Sequence, residues 1–328
     1  MQTYECGLVT GVGSALMDLL VHESDAYLNA VGIEKGGMTL MDIEAIDRAL
    51  SFAADAPEMV PGGATCNTLV GVARLGGKSR FLGKCGDDAV GDAYIKSLTD
   101  CGMDVRLMRS ATPTGRVLSV ITPDAERSMW TCLAASSELG PADLSADDFS
   151  GTQYAVVEGY LLFNPDLMNA ALKAAKAAGA KVVLDLASFT VVRECLDLLK
   201  TLIPAYVDIL VANEDEVAEY TGETDPETAL ARLSDGVEIA VLKRGASGSL
   251  ISDKGKVIRV PAETGAPIVD TTGAGDLWLG GFLYGLSAGY TILDAGKIGA
   301  ACGYEVCRVV GAWIPDEGWA RIQQTLSA

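Results

Sequence analysis

After residue 150 the chain alternates between apolar runs and helix-forming stretches, and no other feature limits the fold so tightly. The runs YAVVEGYL, AKVVLDLA, VDILVAN and VEIAVLKRG read as strands that are buried on both faces. Helical segments separate them, including the Ala-rich ALKAAKAAGA. This repetition predicts a parallel sheet with helices on both sides, an α/β architecture.

The first half reads differently. Residues 5–13 (ECGLVTGVG) predict a buried strand ending in a Gly turn, and residues 14–41 suggest a hairpin outside the main sheet. Helices are expected over 42–54, opened by Asp42 and Glu44, over 65–75, entered through Pro61-Gly62-Gly63, and over 88–100, with the strand SRFLGKC between the last two. From 103 to 134, MDVRLMRS, GRVLSVIT and RSMWTCLA form three strands without an intervening helix, so they are expected to join the 14–41 hairpin as a small β-sheet lid. Late helices are expected over 276–288, 291–309 and 317–326. The division is then a body of residues 1–13, 42–102 and 135–328 and a lid of 14–41 and 103–134.

The 328 residues are 49% hydrophobic and 21% charged, the balance of an ordinary soluble globule. A formal net charge of −19 argues against nucleic-acid or anionic-membrane partners, which need a basic face. A small-molecule substrate fits better, and an anionic one needs local dipoles, a metal ion or a few placed Lys and Arg side chains. The start, MQTYECGLVTGVG, lacks a basic n-region, and no later stretch holds eighteen uninterrupted apolar residues, so a cytoplasmic protein is expected. Eight cysteines never form C-x-x-C, which leaves zinc and disulfides poorly supported. The single histidine, His22, makes His-based catalysis an unattractive idea.

Two phosphate motifs fail. Gly11-Val12-Gly13 lacks the third glycine of a dinucleotide fingerprint, and Gly77-Lys78-Ser79 follows a predicted helix without the required upstream glycine. The heptapeptide Asp270-Thr271-Thr272-Gly273-Ala274-Gly275-Asp276 stands up better. Its glycines permit torsions closed to other residues and expose backbone amides to an anion, and the apolar helix LWLGGFLYGL that follows adds the positive end of its dipole. A carboxylate beside such amides suits phosphoryl transfer; the plainer reading makes Asp276 a helix cap.

The stretch DTTGAGDLWLGGFL (Asp270–Leu283) resembles the C-terminal signature of the ribokinase-like (pfkB) carbohydrate kinase family, and GGATCNTLVGVARLG (Gly62–Gly76) resembles its N-terminal signature, roughly two hundred residues upstream. The resemblance covers nearly the whole chain. It implies a ribokinase-like fold, a mostly parallel sheet with helices on both faces plus a β-sheet lid, and ATP-dependent phosphorylation of a hydroxymethyl group on a sugar or nucleoside. Asp276 would then be the base, with Gly273, Ala274 and Gly275 forming the anion hole. Asn213 and Glu216 resemble the Asn-x-x-Glu element that organises Mg²⁺ through water, or else are an acidic helix start. Lys243, Gly245 and Gly248 match the loop that passes the nucleotide, or an ordinary β-turn. Arg127 resembles a lid arginine that closes over the phosphates, with Arg116 a weaker candidate. Family members often bind K⁺ near the loop before the anion hole, which the sequence leaves open here.

On the acceptor side, Asp18 matches the acid that binds sugar hydroxyls, and Gly62, Gly63, Asn67 and Ser14 line the same pocket in the family. PTGRVLSVITPDAERSM, GYLLFNP and KGGMTLMD look most like the adenosine kinase branch. Trp130, Phe163, Met38 and Leu40 either form an apolar slot for a purine or pack the lid core. Related sequences often carry Asn at the position of Ser14, which weakens the purine case. The expected reaction is phosphorylation of the 5′-hydroxyl of adenosine or a related nucleoside by ATP with Mg²⁺. The alternatives are a sugar kinase acting on ribose, fructose or a keto-deoxy sugar acid, and a non-catalytic nucleotide or sugar sensor. The expected assembly is a monomer or a homodimer through the lid.

Overall fold

The computed structural model describes residues 6–124 and 126–327. Glu5, the first residue of the expected opening strand, lies outside the described residues. The strands are β1 (Leu8–Val12), β2 (Leu16–His22), β3 (Met38–Leu40), β4 (Glu58–Gly62), β5 (Lys78–Gly86), β6 (Asp104–Ser110), β7 (Gly115–Ile121), β8 (Arg127–Cys132), β9 (Thr152–Glu158), β10 (Lys181–Asp185), β11 (Ile209–Asn213), β12 (Ile239–Lys243), β13 (Ser249–Asp253) and β14 (Lys256–Val260). The helices are α1 (Asp25–Val31), α2 (Ile43–Leu50), α3 (Ala64–Arg74), α4 (Ala89–Asp100), α5 (Pro165–Ala177), α6 (Phe189–Glu194), α7 (Leu196–Tyr206), α8 (Glu214–Thr221), α9 (Pro226–Leu233), α10 (Ala274–Ser287), α11 (Ile292–Val306) and α12 (Asp316–Ser327).

Nine strands form the main sheet in the order β14-β13-β12-β11-β10-β9-β1-β5-β6, parallel from β12 to β6 with an antiparallel edge of β13 and β14. The apolar runs feed two layers by strict alternation. Val156, Val183, Val211 and Val241 join one core with α3 and α10, whereas Val157, Leu184, Ala212 and Leu242 join another with α5, α7 and α9. The α/β architecture expected from the strand–helix repetition is the one observed.

The small sheet has the order β3-β8-β7-β2-β4 and differs from expectation in three ways. β6 pairs with β5 in the main sheet, because α4 supplies the crossover a parallel pair requires and Met103 enters the body core. β4, unforeseen, pairs with β2. Residues 14–41 are no hairpin: α1 intervenes, and β2 and β3 are separated by β7 and β8. In addition, α2 ends at Leu50 and packs Ala45, Ile46 and Ala49 against Leu118, Val120 and Trp130 of the small sheet.

Close approach of α3 and α10 joins the sequence-distant motifs. A Cβ on Gly280 would meet the Thr68 carbonyl at 2.5 Å, and one on Gly71 would meet the Gly280 Cα at 3.3 Å. Only glycine lets these backbones touch, and the contact sets Asp276 beside Asn67 and Thr68.

Candidate active site

The turn before α10 is braced by Asp270. Its Oδ1 accepts from the Thr272 amide (3.0 Å) and hydroxyl (2.8 Å), and its Oδ2 accepts from the Gly311 amide (2.9 Å). Gly273 has φ 73°, and a Cβ there would lie 2.6 Å from Ala312, so the residue must be glycine. The Ala274 amide donates to the Thr271 carbonyl at 3.1 Å, which removes it from the expected anion hole. Amides of Gly273, Gly275 and Asp276 have no partner among the described residues and start a 14-residue helix. This is the geometry of an anion site at a helix N-terminus.

Asp276 is not the cap of that helix. It is the third helical residue, its Oδ2 accepts from Asn67 Nδ2 at 2.9 Å, and Thr68 Oγ1 donates to its carbonyl at 3.1 Å. Burial pushes its carboxyl up to about 6; Asp185 and Asp18 push the same way, opposed by the Asn67 hydrogen bond and Lys243. Part of its surface opens to a cavity of about 270 Å³. A carboxylate ionised just below neutral pH and aimed into a cleft is suited to take a hydroxyl proton.

Across the cavity, the four neighbouring strands β9 to β12 each end in a polar residue: Glu158, Asp185, Asn213 and Lys243. Lys243 Nζ donates to Asp185 Oδ2 at 2.7 Å and lies 2.9 Å from the place a Gly275 Cβ would occupy, so the ammonium rests against the anion turn. Burial alone would depress the Lys243 pKa, but Asp185 and Glu216 outweigh it and the net shift is upward. Asn213 and Glu216 cap α8 reciprocally. The Glu216 amide donates to Asn213 Oδ1 (2.9 Å), the Asn213 amide to Glu216 Oε2 (2.8 Å), and Asn213 Nδ2 to Glu216 Oε1 (2.7 Å). Burial, then Asp185, raises the Glu216 carboxyl to about 7.

These residues fit a divalent cation held through water. Asp185, Glu216 and Asp276 converge on one cavity with Lys243 as the counter-charge, and Asn213 already binds both Glu216 oxygens. Among the described residues no three His, Cys, Asp or Glu side chains form a direct metal cage. Mg²⁺, which keeps its waters, suits such a site. Gly245 and Gly248 lie in the turn between β12 and β13, where a Gly248 Cβ would meet the Val260 carbonyl at 2.2 Å, so close packing by itself requires glycine at 248.

The residues expected on the acceptor side cluster where the small sheet meets the body. Asp18 on β2 is 7% exposed, and burial raises its carboxyl to about 6 against the pull of Arg127. A Cβ on Gly62 would collide with that carboxyl at 2.6 Å. Gly63, at φ 103°, passes so near Ser14 that a Cβ would meet the Ser14 carbonyl at 2.3 Å. The Ser14 and Thr65 amides both donate to buried Glu158, at 3.2 and 3.4 Å, and burial still lifts that acid to about 7.

Two expectations change. Arg127 touches Asp18 and Ser119 rather than the anion turn, with Nη2 3.5 Å from Asp18 Oδ2 and donating to Ser119 Oγ at 2.8 Å. Trp130 packs in the core under α1 and α2, on the sheet face opposite Asp18, and so leaves the supposed purine slot. Arg116 pairs with Asp47 at 2.8 Å. Glu158, Asp185, Thr65 and Thr68 were not singled out from the sequence. For the two acids a signal was present: each is the polar last residue of an apolar strand, and α/β sheets bind ligands at those carboxyl ends.

The model for pfkB family carbohydrate kinases matches residues 32–317. The chain belongs to the pfkB family of carbohydrate kinases. It is 33% identical over 244 residues to a fructokinase of Klebsiella pneumoniae, covering 70% of this chain and 77% of the relative. Against an aminoimidazole riboside kinase of Salmonella typhimurium it is 32% identical over 238 residues, covering 69% and 74%. The crystal structure of adenosine kinase from Sinorhizobium meliloti superposes with a TM-score of 0.86 at 29% identity, covering 98% of this chain and 99% of that one. This pfkB protein is therefore a phosphotransferase with an alcohol acceptor, a carbohydrate or nucleoside kinase of ribokinase-like fold, and kinases of its family use ATP.

Proposed function

We propose that this pfkB kinase transfers the γ-phosphoryl group of ATP to the 5′-hydroxyl of adenosine or a related nucleoside. The position of Asp276 carries the chemistry. Its carboxylate stands beside unpartnered amides of a helix N-terminus, so a hydroxyl placed between them can lose its proton to Asp276 as its oxygen bonds to phosphorus. The bond from phosphorus to the bridging β–γ oxygen breaks, ADP leaves, and the free amides with Lys243 meet the charge on the transferring group. Asn213 and Glu216 would hold Mg²⁺ through water, and the ion would neutralise charge on the triphosphate. Asp18 holds the vicinal diol, two hydroxyls on one carboxylate.

The nucleoside is favoured by Met38 and Leu40. Both lie on the Asp18 face of the small sheet and remain 53% and 63% exposed, which offers apolar surface to a base. The structural similarity to an adenosine kinase supports the same reading. A second reading, a plain sugar as acceptor, is favoured by the withdrawal of Trp130 and by the fructokinase relative. A coupled assay with ATP against adenosine, inosine, aminoimidazole riboside, ribose, fructose and keto-deoxygluconate separates them. Nucleoside turnover is expected; activity on a free sugar and none on nucleosides overturns the first reading.

A further inference from the structure

Arg127 presents an unusual combination for a buried cation. Its side chain is 10% exposed, yet Nε and Nη1 are covered and have no hydrogen-bond partner among the described residues. Leaving such donors unpaired is costly, so a group that completes them is expected. Register places the guanidinium on the acceptor side. Asp18 is opposite Val117, Ser119 opposite Met129 and Ile121 opposite Arg127, so all share one face of the small sheet.

The chemistry of the missing partner follows from which nitrogens are free. A carboxylate binds arginine through a fork edge, and both edges include Nη2. Here Nη2 already donates to Ser119 and faces Asp18, so each edge is half taken. Nε and Nη1 point apart and suit two single oxygens. Charge argues the same way: Arg127 already faces Asp18 and Lys243 is paired with Asp185, while Glu158, Glu216 and Asp276 add negative charge in the adjoining cavity, a setting unfavourable to a further carboxylate.

We infer that Arg127 is an acceptor-recognition residue, forming with Asp18 a clamp for an uncharged polyhydroxylated acceptor. Asp18 accepts from the diol, while Nε and Nη1 of Arg127 donate to hydroxyl, ring or keto oxygens of the same molecule. This rests on the reading that Asp18 lies in the acceptor pocket, and it excludes sugar acids. Both nitrogens are covered, so the surface over them must move for the acceptor to reach them.

The test is steady-state kinetics of wild type, Arg127→Gln, Arg127→Lys and Asp18→Asn with ATP and adenosine, ribose, fructose and keto-deoxygluconate. Arg127→Gln is expected to raise acceptor KM about tenfold or more, the loss of one to two hydrogen bonds, with ATP KM moving less than about twofold. Arg127→Lys keeps the charge beside Asp18 and so the melting temperature, but restores acceptor KM only in part, because lysine lacks the planar donor set. A rise in ATP KM with acceptor KM unmoved refutes the clamp alone, as does wild-type preference for keto-deoxygluconate. An Asp18→Asn variant with unchanged acceptor KM removes the acceptor pocket itself, and the clamp with it.

Discussion

Replacing Asp276 by Asn separates catalysis from stability, and the two should move in opposite directions. The folded carboxyl holds its proton more tightly than an unfolded one, with a pKa raised from 3.8 to about 6. The fold is therefore favoured at low pH, and stability falls as pH rises from about 4 through about 6, with the full cost present above about 7. A rise of that size corresponds to at most about 3 kcal/mol. An Asn side chain keeps an oxygen for Asn67 Nδ2 and carries no charge, so Asp276→Asn recovers much of that cost. With about 2.1 cal/mol/K of unfolding entropy per residue, a 328-residue chain gains at most about 4 °C in Tm at pH 8. The gain should vanish near pH 4, while kcat falls by about 10²- to 10⁴-fold at pH 8, the worth of a general base. Calorimetry at the two pH values and single-turnover kinetics read both effects. Unchanged turnover refutes the base role; a lost activity with an unchanged or lower Tm at pH 8 refutes the account of a buried, charge-burdened acid.

Three further outcomes follow from the same geometry. Glu216→Gln can accept only one of the two Asn213 donors and loses the negative charge, so the Mg²⁺ concentration needed for half-maximal rate should rise about 10- to 100-fold in a metal titration, with acceptor KM unchanged. Gly280→Ala puts a Cβ 2.5 Å from the Thr68 carbonyl and should cost about 1–3 kcal/mol in denaturant unfolding while also lowering kcat, because α3 and α10 carry Asn67 and Asp276. Trp130→Leu should destabilise the fold by about 1–3 kcal/mol yet leave acceptor KM within about twofold; a large KM effect would return Trp130 to the binding slot.

The legible parts were those that local chemistry decides. Strand and helix periodicity marked the parallel sheet, since burial of a strand on both faces demands an apolar run wherever the strand sits. The Gly273 turn was equally readable, because a positive φ is a property of one residue and its neighbours. Asp276 announced itself by following that turn. Glu158 and Asp185 were within reach of the same logic, as polar ends of apolar strands, but their weight comes from burial that no local pattern shows.

Tertiary structure decided the rest through pairing and proximity. β6 could join either sheet until α4 gave it a crossover and Met103 a core. Met129 and Trp130 are adjacent in sequence, yet one residue of register sends them to opposite faces of the small sheet, one onto the Asp18 face and one into the lid core. The raised pKa values of Asp18, Glu158, Glu216 and Asp276 arise from residues far apart in the chain that share one poorly solvated space. The sequence by itself determined an α/β kinase scaffold with a Gly-rich turn at a helix start. Which charges face each other, Arg127 on Asp18 in the small sheet and Lys243 on Asp185 beside the turn, was settled only when the strands took their order, because electrostatic coupling depends on distance in space and not along the chain.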